Sequence, residues 1–292
     1  MAYQGTRHAS PAFKVLNNNV IVIVDERGDE RVLMGRGLAF GLKPGDAIDH
    51  TKVAKTFVLA RGEQGEHDLR VLTRAPYRLV AAVTAAIDEA ERALGRALGR
   101  HLPLAVVDHL EFVLERLGQG LRVPATMPEL RVLYGQEFAA ATRMVESISA
   151  SLGAPLPDEE VVFLTMHLVN ATRGFPDGTT ALLFRRVRHI VATVEAGLGV
   201  ALDDESPDYA RFVMHVQFLL QRLTNDAMLR NADLSFVEFT RHSYPRSAAI
   251  AEHVKTYVFG ATGSSLTDEE VMYMTVHVER LAQQSGDRSA AS

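Results

Sequence analysis

Two groups of residues in this chain have types and spacings that could do chemistry. The first is four histidines, His109, His167, His215 and His277, which fall at matching places in two similar stretches. LPDEEVVFLTMH at 156–167 aligns with LTDEEVMYMTVH at 266–277, with seven of twelve positions identical. DHLEFVLERL at 108–117 aligns with MHVQFLLQRL at 214–223, with five of ten. Each histidine lies at the edge of an apolar helical stripe: His109, for instance, follows Val106 by three residues and precedes Val113 by four. A lone histidine in such a place is ordinarily a half-buried ring kept by packing and one hydrogen bond. Two pairs kept through a duplication call for a function. Zinc would need three or four convergent ligands. Here the members of a pair stand about sixty residues apart, with no Cys and no recurring acid beside them. Asp108 precedes His109, but Met214 precedes His215, and adjacent helical positions do not face each other. General acid–base catalysis would need a nucleophile or electrophile in the same pocket, and none is recognisable. Reversible phosphorylation of a ring nitrogen remains. It would turn a neutral ring into a group with about two negative charges, and at an interface that change separates or re-registers subunits. No catalytic residue, metal site or other cofactor is expected.

The second group lies in KVLNNNVIVIVDERGDERVLMGRGLAF, residues 14–40. Two β-type runs, at 20–24 and 31–34, flank a polar turn containing Gly28, which predicts an antiparallel hairpin. Asn17, Asn18 and Asn19 precede the first run; Gly35, Arg36, Gly37 and Phe40 follow the second. Amides can pair with base edges, and a ring or guanidinium plane can stack on an unstacked base. Glycines admit close backbone approach. The same residues are also ordinary turn chemistry. They are no dinucleotide fingerprint, because Phe40 stands where the third glycine would be.

These groups need elements to position them. Residues 52–59 are predicted as a last strand, giving a sheet of about four strands, small enough that a dimer burying one face is expected. Residues 60–75 read as a charged linker. Apolar residues then recur at three- and four-residue steps in helix after helix. Thr267, Asp268, Glu269 and Glu270 read as a capping box opening the last one. The fold expected is α+β and multidomain: a small all-β module at 11–60, a linker at 61–75, and two duplicated all-α bundles at 76–174 and 179–283. Residues 1–10 are expected to be a polar tail.

Composition agrees. The 292 residues carry a net charge of −5, yet residues 1–60 hold eight Lys and Arg against six Asp and Glu, and the remainder 23 against 30. A slightly basic module on an acidic body is compatible with RNA binding. Cys is absent, no apolar run is long enough to span a membrane, and no signal-peptide-like run opens the chain, so a cytoplasmic protein without membrane insertion is expected.

The string NNNVIVIVDERGDERVLMGRGLAF, followed by Lys43-Pro44-Gly45-Asp46, resembles the N-terminal co-antiterminator module of BglG/LicT-type transcriptional antiterminators. The halves containing DHLEFVLERL with FLTMHLVNA, and RFVMHVQFLLQRL with YMTVHVERL, resemble that family's paired PTS regulation domains. The resemblance implies a homodimer that binds a leader-transcript RNA hairpin through Lys14, Asn17, Asn19, Gly35, Arg36 and Phe40. It implies phosphorylation at His109, His167, His215 and His277, with a sugar-specific enzyme II of the phosphotransferase system and the phosphocarrier HPr as donors. Gly41-Leu42 departs from the family, whose members usually continue with Gln and basic residues. Three other readings are weighed: a PTS-regulated DNA-binding activator, which should carry a helix-turn-helix; a phosphotransferase component acting on sugar, which would need a substrate pocket or a transport-linked domain; and a degenerate regulator acting through protein partners.

Overall fold

The computed structural model describes residues 13–25, 28–43, 46–59, 62–123, 126–174, 179–230 and 233–291, with side chains as far as 284. The expected tail at 1–10 lies outside them. Four strands, β1 (Phe13–Asn17), β2 (Val20–Val24), β3 (Glu30–Met34) and β4 (Lys55–Val58), form an antiparallel sheet in sequence order. The predicted hairpin is β2–β3, with Val22 opposite Val32. Its turn is closed by Asp25, whose Oδ1 accepts from Asp29 N at 3.0 Å and whose Oδ2 takes Arg31 Nε at 2.7 Å. The last strand begins three residues later than expected, after a 3-10 turn at His50–Lys52.

VIVIV is an unbroken apolar run whose first three residues, Val20 to Val22, are buried on both faces of β2. Val20 and Val22, with Val32, Met34 and Phe57, join a core that includes Val71, Leu72 and Ala75. Ile21 and Leu33 point the other way, onto Leu38, Ala39 and Ile48. Each such side chain contributes roughly 1.5–3 kcal/mol by leaving water. Neither face of the central strands is left bare for a second copy to cover.

Of the expected linker, residues 63–74 are a helix rather than an open connection. Helix α1 (Glu63–Arg74) buries Val71 and Leu72, and Arg74 clamps Glu111 at 2.8 Å and Asp108 at 3.1 Å. The apolar residues at 69, 71 and 72 decide its structure.

Ten further helices follow among the described residues: α2 (Tyr77–Leu94), α3 (Leu102–Gly118), α4 (Pro128–Leu133), α5 (Gly135–Leu152), α6 (Glu160–Arg173), α7 (Thr179–Leu198), α8 (Pro207–Thr224), α9 (Leu234–Ser243), α10 (Pro245–Thr262) and α11 (Asp268–Ala291). Proline stands in the first turn of α3 (Pro103) and opens α8 (Pro207), where its missing N–H costs nothing and its φ suits the turn. The duplication extends to loop hydrogen bonds. Glu91 Oε1 accepts from Leu98 N at 2.8 Å, and Glu195 Oε1 accepts from Leu202 N at 3.1 Å.

The chain forms two compact units, 1–125 with 139–173, and 126–138 with 174–292. Residues 126–138, read from the sequence as part of the first bundle, therefore pack with the second. Leu130 is fully buried, and Glu129 takes Arg188 Nη1 and the Tyr209 hydroxyl, each at 3.1 Å. No periodicity in six residues of helix can announce which bundle they will join.

Candidate functional site

The first candidate surface is the turn after β3. Gly35 N donates to Asn19 O at 2.9 Å, Gly37 N to Asn19 Oδ1 at 2.8 Å, and Ala39 N to Asn18 O at 3.0 Å. The asparagine run and the glycine-rich turn thus hold each other. Leu38 and Ala39 anchor the turn in the core, and Phe40 is thrown out, 78% exposed, with Arg36 exposed beside it in sequence. Lys14 and Asn18 are exposed as well. Lys14, Arg36 and Lys43 have no ion-pair partner among the described residues, whereas Lys52 and Lys55 are paired with Asp49 and Asp88.

The six sequence candidates therefore divide. Lys14, Arg36 and Phe40 present side chains to solvent. Asn19 holds the turn through Oδ1. Asn17 is engaged internally, its Oδ1 accepting from Asn19 N at 2.9 Å and its Nδ2 donating to Thr73 O at 3.1 Å. Gly35 is buried, and a Cβ there would lie 1.8 Å from Lys52 O, so its place is set by packing. Asn18, the exposed member of the run, was not among the candidates.

The second candidate is the histidine pair of each repeat. In the first unit, α3 and α6 bring the His109 and His167 rings to 5.5 Å between centroids. His109 Nε2 and Glu160 Oε2 are hydrogen-bonded at 2.6 Å. Arg116 Nη2 lies 3.6 Å from the other oxygen of Glu160. In the second unit, α8 and α11 stack His215 on His277 with centroids 4.3 Å apart. The carboxylate equivalent to Glu160 is Glu270, and it is held differently. Arg222, the equivalent of Arg116, grips it with Nε at 2.7 Å and Nη2 at 2.5 Å, and Leu229 N donates to it at 3.1 Å. His215 Nε2 is buried without a hydrogen-bond partner among the described residues.

The expectation that no recurring acid accompanies the histidines is thus corrected. Glu160 reaches His109 from another helix, about fifty residues along the chain, and its equivalent Glu270 is taken instead by Arg222. Both acids, and Arg116 with Arg222, stand inside the repeated letters DEEV, ERL and QRL, so the signal was present. Among the described residues, no group of three or more His, Cys, Asp or Glu is arranged to hold a metal ion.

Burial first, then the neighbouring His277 and Arg222, push His215 from its ordinary 6.5 down to about 3. Burial, aided by Arg280, also lowers His277. The second pair is therefore neutral at physiological pH. As pH falls, the unfolded chain takes up the proton at position 215 before the folded one does. The stability this represents is complete above 6.5 and is lost progressively toward about 3. A His215→Gln variant should show a flatter dependence, with the native chain losing about 2 kcal/mol more between pH ~6.5 and ~5, at roughly 1.4 kcal/mol per unit. Urea unfolding of both proteins across that window measures it. Equal slopes would mean that water reaches the His215 ring.

Comparison with known proteins agrees with this architecture. Residues 13–66 match the CAT RNA binding domain, and residues 84–171 and 188–281 each match the PRD domain. The transcription antiterminator LicT of Bacillus subtilis is 31% identical over 273 residues, covering 93% of this chain and 99% of LicT. The beta-glucoside operon antiterminator of Dickeya chrysanthemi is 31% identical over 278 residues, covering 95% and 98%. Protein GlcT of Staphylococcus saprophyticus is 26% identical over 267 residues, covering 91% and 94%. The crystal structure of GlcT CAT-PRDI aligns at a TM-score of 0.47 with 28% identity, over 55% of this chain and 96% of that one. A four-stranded RNA-binding module followed by two PRD repeats, with near full-length similarity to LicT, means that the chain belongs to the BglG/LicT family of transcriptional antiterminators.

Proposed function

We propose that this protein is a sugar-responsive transcriptional antiterminator. As a dimer it binds an imperfect hairpin in a leader transcript, which excludes an overlapping terminator stem so that polymerase continues. The observation that carries this reading is the turn at 35–40, which holds an aromatic ring and a guanidinium out in water on a backbone locked by Asn18 and Asn19. An exposed ring on a rigid turn suits stacking on an unpaired base. No step of this function breaks a bond in the RNA, and the protein is a regulator rather than an enzyme. A DNA-binding activator is disfavoured, because residues 13–17, 20–24, 30–34 and 55–58 are strands where a helix-turn-helix would be needed.

The switch is phosphorylation of His109, His167, His215 and His277, with an enzyme II of the phosphotransferase system and HPr as donors. Support comes from half-buried rings in pairs, each pair beside an exposed phenylalanine, Phe112 at 58% and Phe218 at 49%, three residues along the helix from His109 and His215. An apolar rim around a modifiable ring suits a protein interface. About two negative charges placed there would disfavour it. Without inducing sugar, the first repeat carries phosphate and the dimer is disfavoured.

RNA binding by the full chain tests the first half of this reading, with a hairpin carrying two internal loops and its fully paired control. The full chain is needed because the sheet shares its core with helical residues. Phe40→Ala should leave the melting temperature unchanged, since the ring touches mainly water, and weaken loop-selective binding by about 1–3 kcal/mol. Equal binding to both RNAs that vanishes with salt would instead mean phosphate attraction alone.

A further inference from the structure

The two repeats hold the same four residue types, His, Arg, Glu and His, with the carboxylate allotted differently. In the first, Glu160 is 2% exposed and hydrogen-bonded to His109 Nε2 at 2.6 Å, while Arg116 stands off at 3.6 Å. In the second, Glu270 is fully buried and taken by Arg222. A carboxylate behind an imidazole fixes the tautomer and stabilises the positive charge that grows on the ring as its other nitrogen attacks. We propose that Glu160 is a positioning residue for phosphoryl transfer to the first repeat, holding the Nε2 proton of His109 so that Nδ1 is the accepting nitrogen, and that Glu270, held by Arg222, gives His215 no such help. This rests on the phosphorylation reading above and adds the acceptor atom and a built-in difference between the repeats.

The step balances. The Nδ1 lone pair forms the N–P bond, the bond between phosphorus and the donor breaks, and its electron pair leaves with the donor. The Nε2 proton stays on the ring, against Glu160. The charged groups around His109 are Glu160, Arg116 and the second ring, His167. Those around His215 are His277 and Arg222, with Glu270 behind the arginine. The lowered basicity of His215 agrees with a ring that no carboxylate supports.

The test uses the full chain labelled with nitrogen-15 histidine and phosphoramidate as a small donor, whose leaving group is ammonia. Long-range proton–nitrogen correlations read the tautomer of each ring and the nitrogen that becomes phosphorylated. His109 should carry its proton on Nε2, accept phosphate on Nδ1, and label faster than His215. Glu160→Gln should lose the tautomer preference and slow labelling of His109 by about tenfold or more, while Glu270→Gln leaves the rate at His215 unchanged. Phosphate on Nε2 of His109, or an unchanged tautomer and rate in Glu160→Gln, would overturn the proposal. The native chain's tautomer and labelled nitrogen decide it even if Glu160→Gln folds poorly. Should no histidine of the native chain accept phosphate, the phosphorylation reading fails, and the tautomers of His109 in the native chain and in Glu160→Gln still decide the positioning role.

Discussion

Arg222→Met is expected to destabilise the second unit by about 3–5 kcal/mol, the range for leaving a buried charge without its partner. Glu270 has no exposed surface, and besides the two bonds from Arg222 its carboxylate receives one backbone N–H, from Leu229. Without the guanidinium it must ionise in a poorly solvated place, take up a proton, or pull out of the core. The reverse change should be milder. Arg222 keeps 24% of its side-chain surface, so in Glu270→Gln it can turn toward water, and the loss should be about 2 kcal/mol. Replacing both residues, Arg222→Met with Glu270→Leu, should recover most of the stability, because no charge is then stranded. A chain with two units need not unfold in one step, so the resonances of His215 and His277 should be followed through urea denaturation. If the two single variants lost equal stability, the burial of Glu270 would not be what makes the pair matter.

The same glutamate shows how far the sequence could be read. Thr267 to Glu270 has the letters of a capping box, in which the glutamate should reach back to the threonine N–H. Only half of it forms. Glu270 N donates to Thr267 Oγ1 at 3.3 Å, and the carboxylate turns away to Arg222. The first repeat kept the glutamate but has Pro157 in place of the threonine. An acid shared by both copies, with a cap residue that is not, points to a partner elsewhere. The histidines were legible because duplication wrote them twice. Their acids were passed over because helix neighbours were sought along one helix, while the contact joins α3 to α6. The strands were legible from VIVIV and RVLM, but an unbroken apolar run announces that both faces are covered without saying by what. Helix α1 and the pairing of residues 126–138 with the second unit depend on contacts distant in sequence, and local pattern does not carry those.

Gly35→Ala should abolish loop-selective RNA binding and cost the β module about 3 kcal/mol, the upper part of the range for overpacking. The family resemblance implies Gly35 as an RNA contact, and glycine in general lets a ligand come close. The close approach is to the protein itself. A Cβ at 35 would sit 1.8 Å from Lys52 O and 2.9 Å from Lys52 C, both backbone atoms that cannot turn aside as a side-chain tip could. Room could come only from parting β3 from the segment leading into β4, where Ala54 N donates to Met34 O at 2.8 Å. That movement would also disturb the bond from Gly35 N to Asn19 O, and with it the turn that presents Arg36 and Phe40. Gly37→Ala separates the two kinds of glycine. Its Cβ would meet nothing within 4 Å, but φ is +67°, so the cost should be about 1–2 kcal/mol of backbone strain. Thermal unfolding and hairpin binding of both variants, beside Phe40→Ala, then distinguish a residue that touches RNA from one that shapes the surface. Phe40→Ala should weaken binding at unchanged stability, and Gly35→Ala should lose both together. If Gly35→Ala kept native stability while losing the RNA, the glycine would be a contact after all.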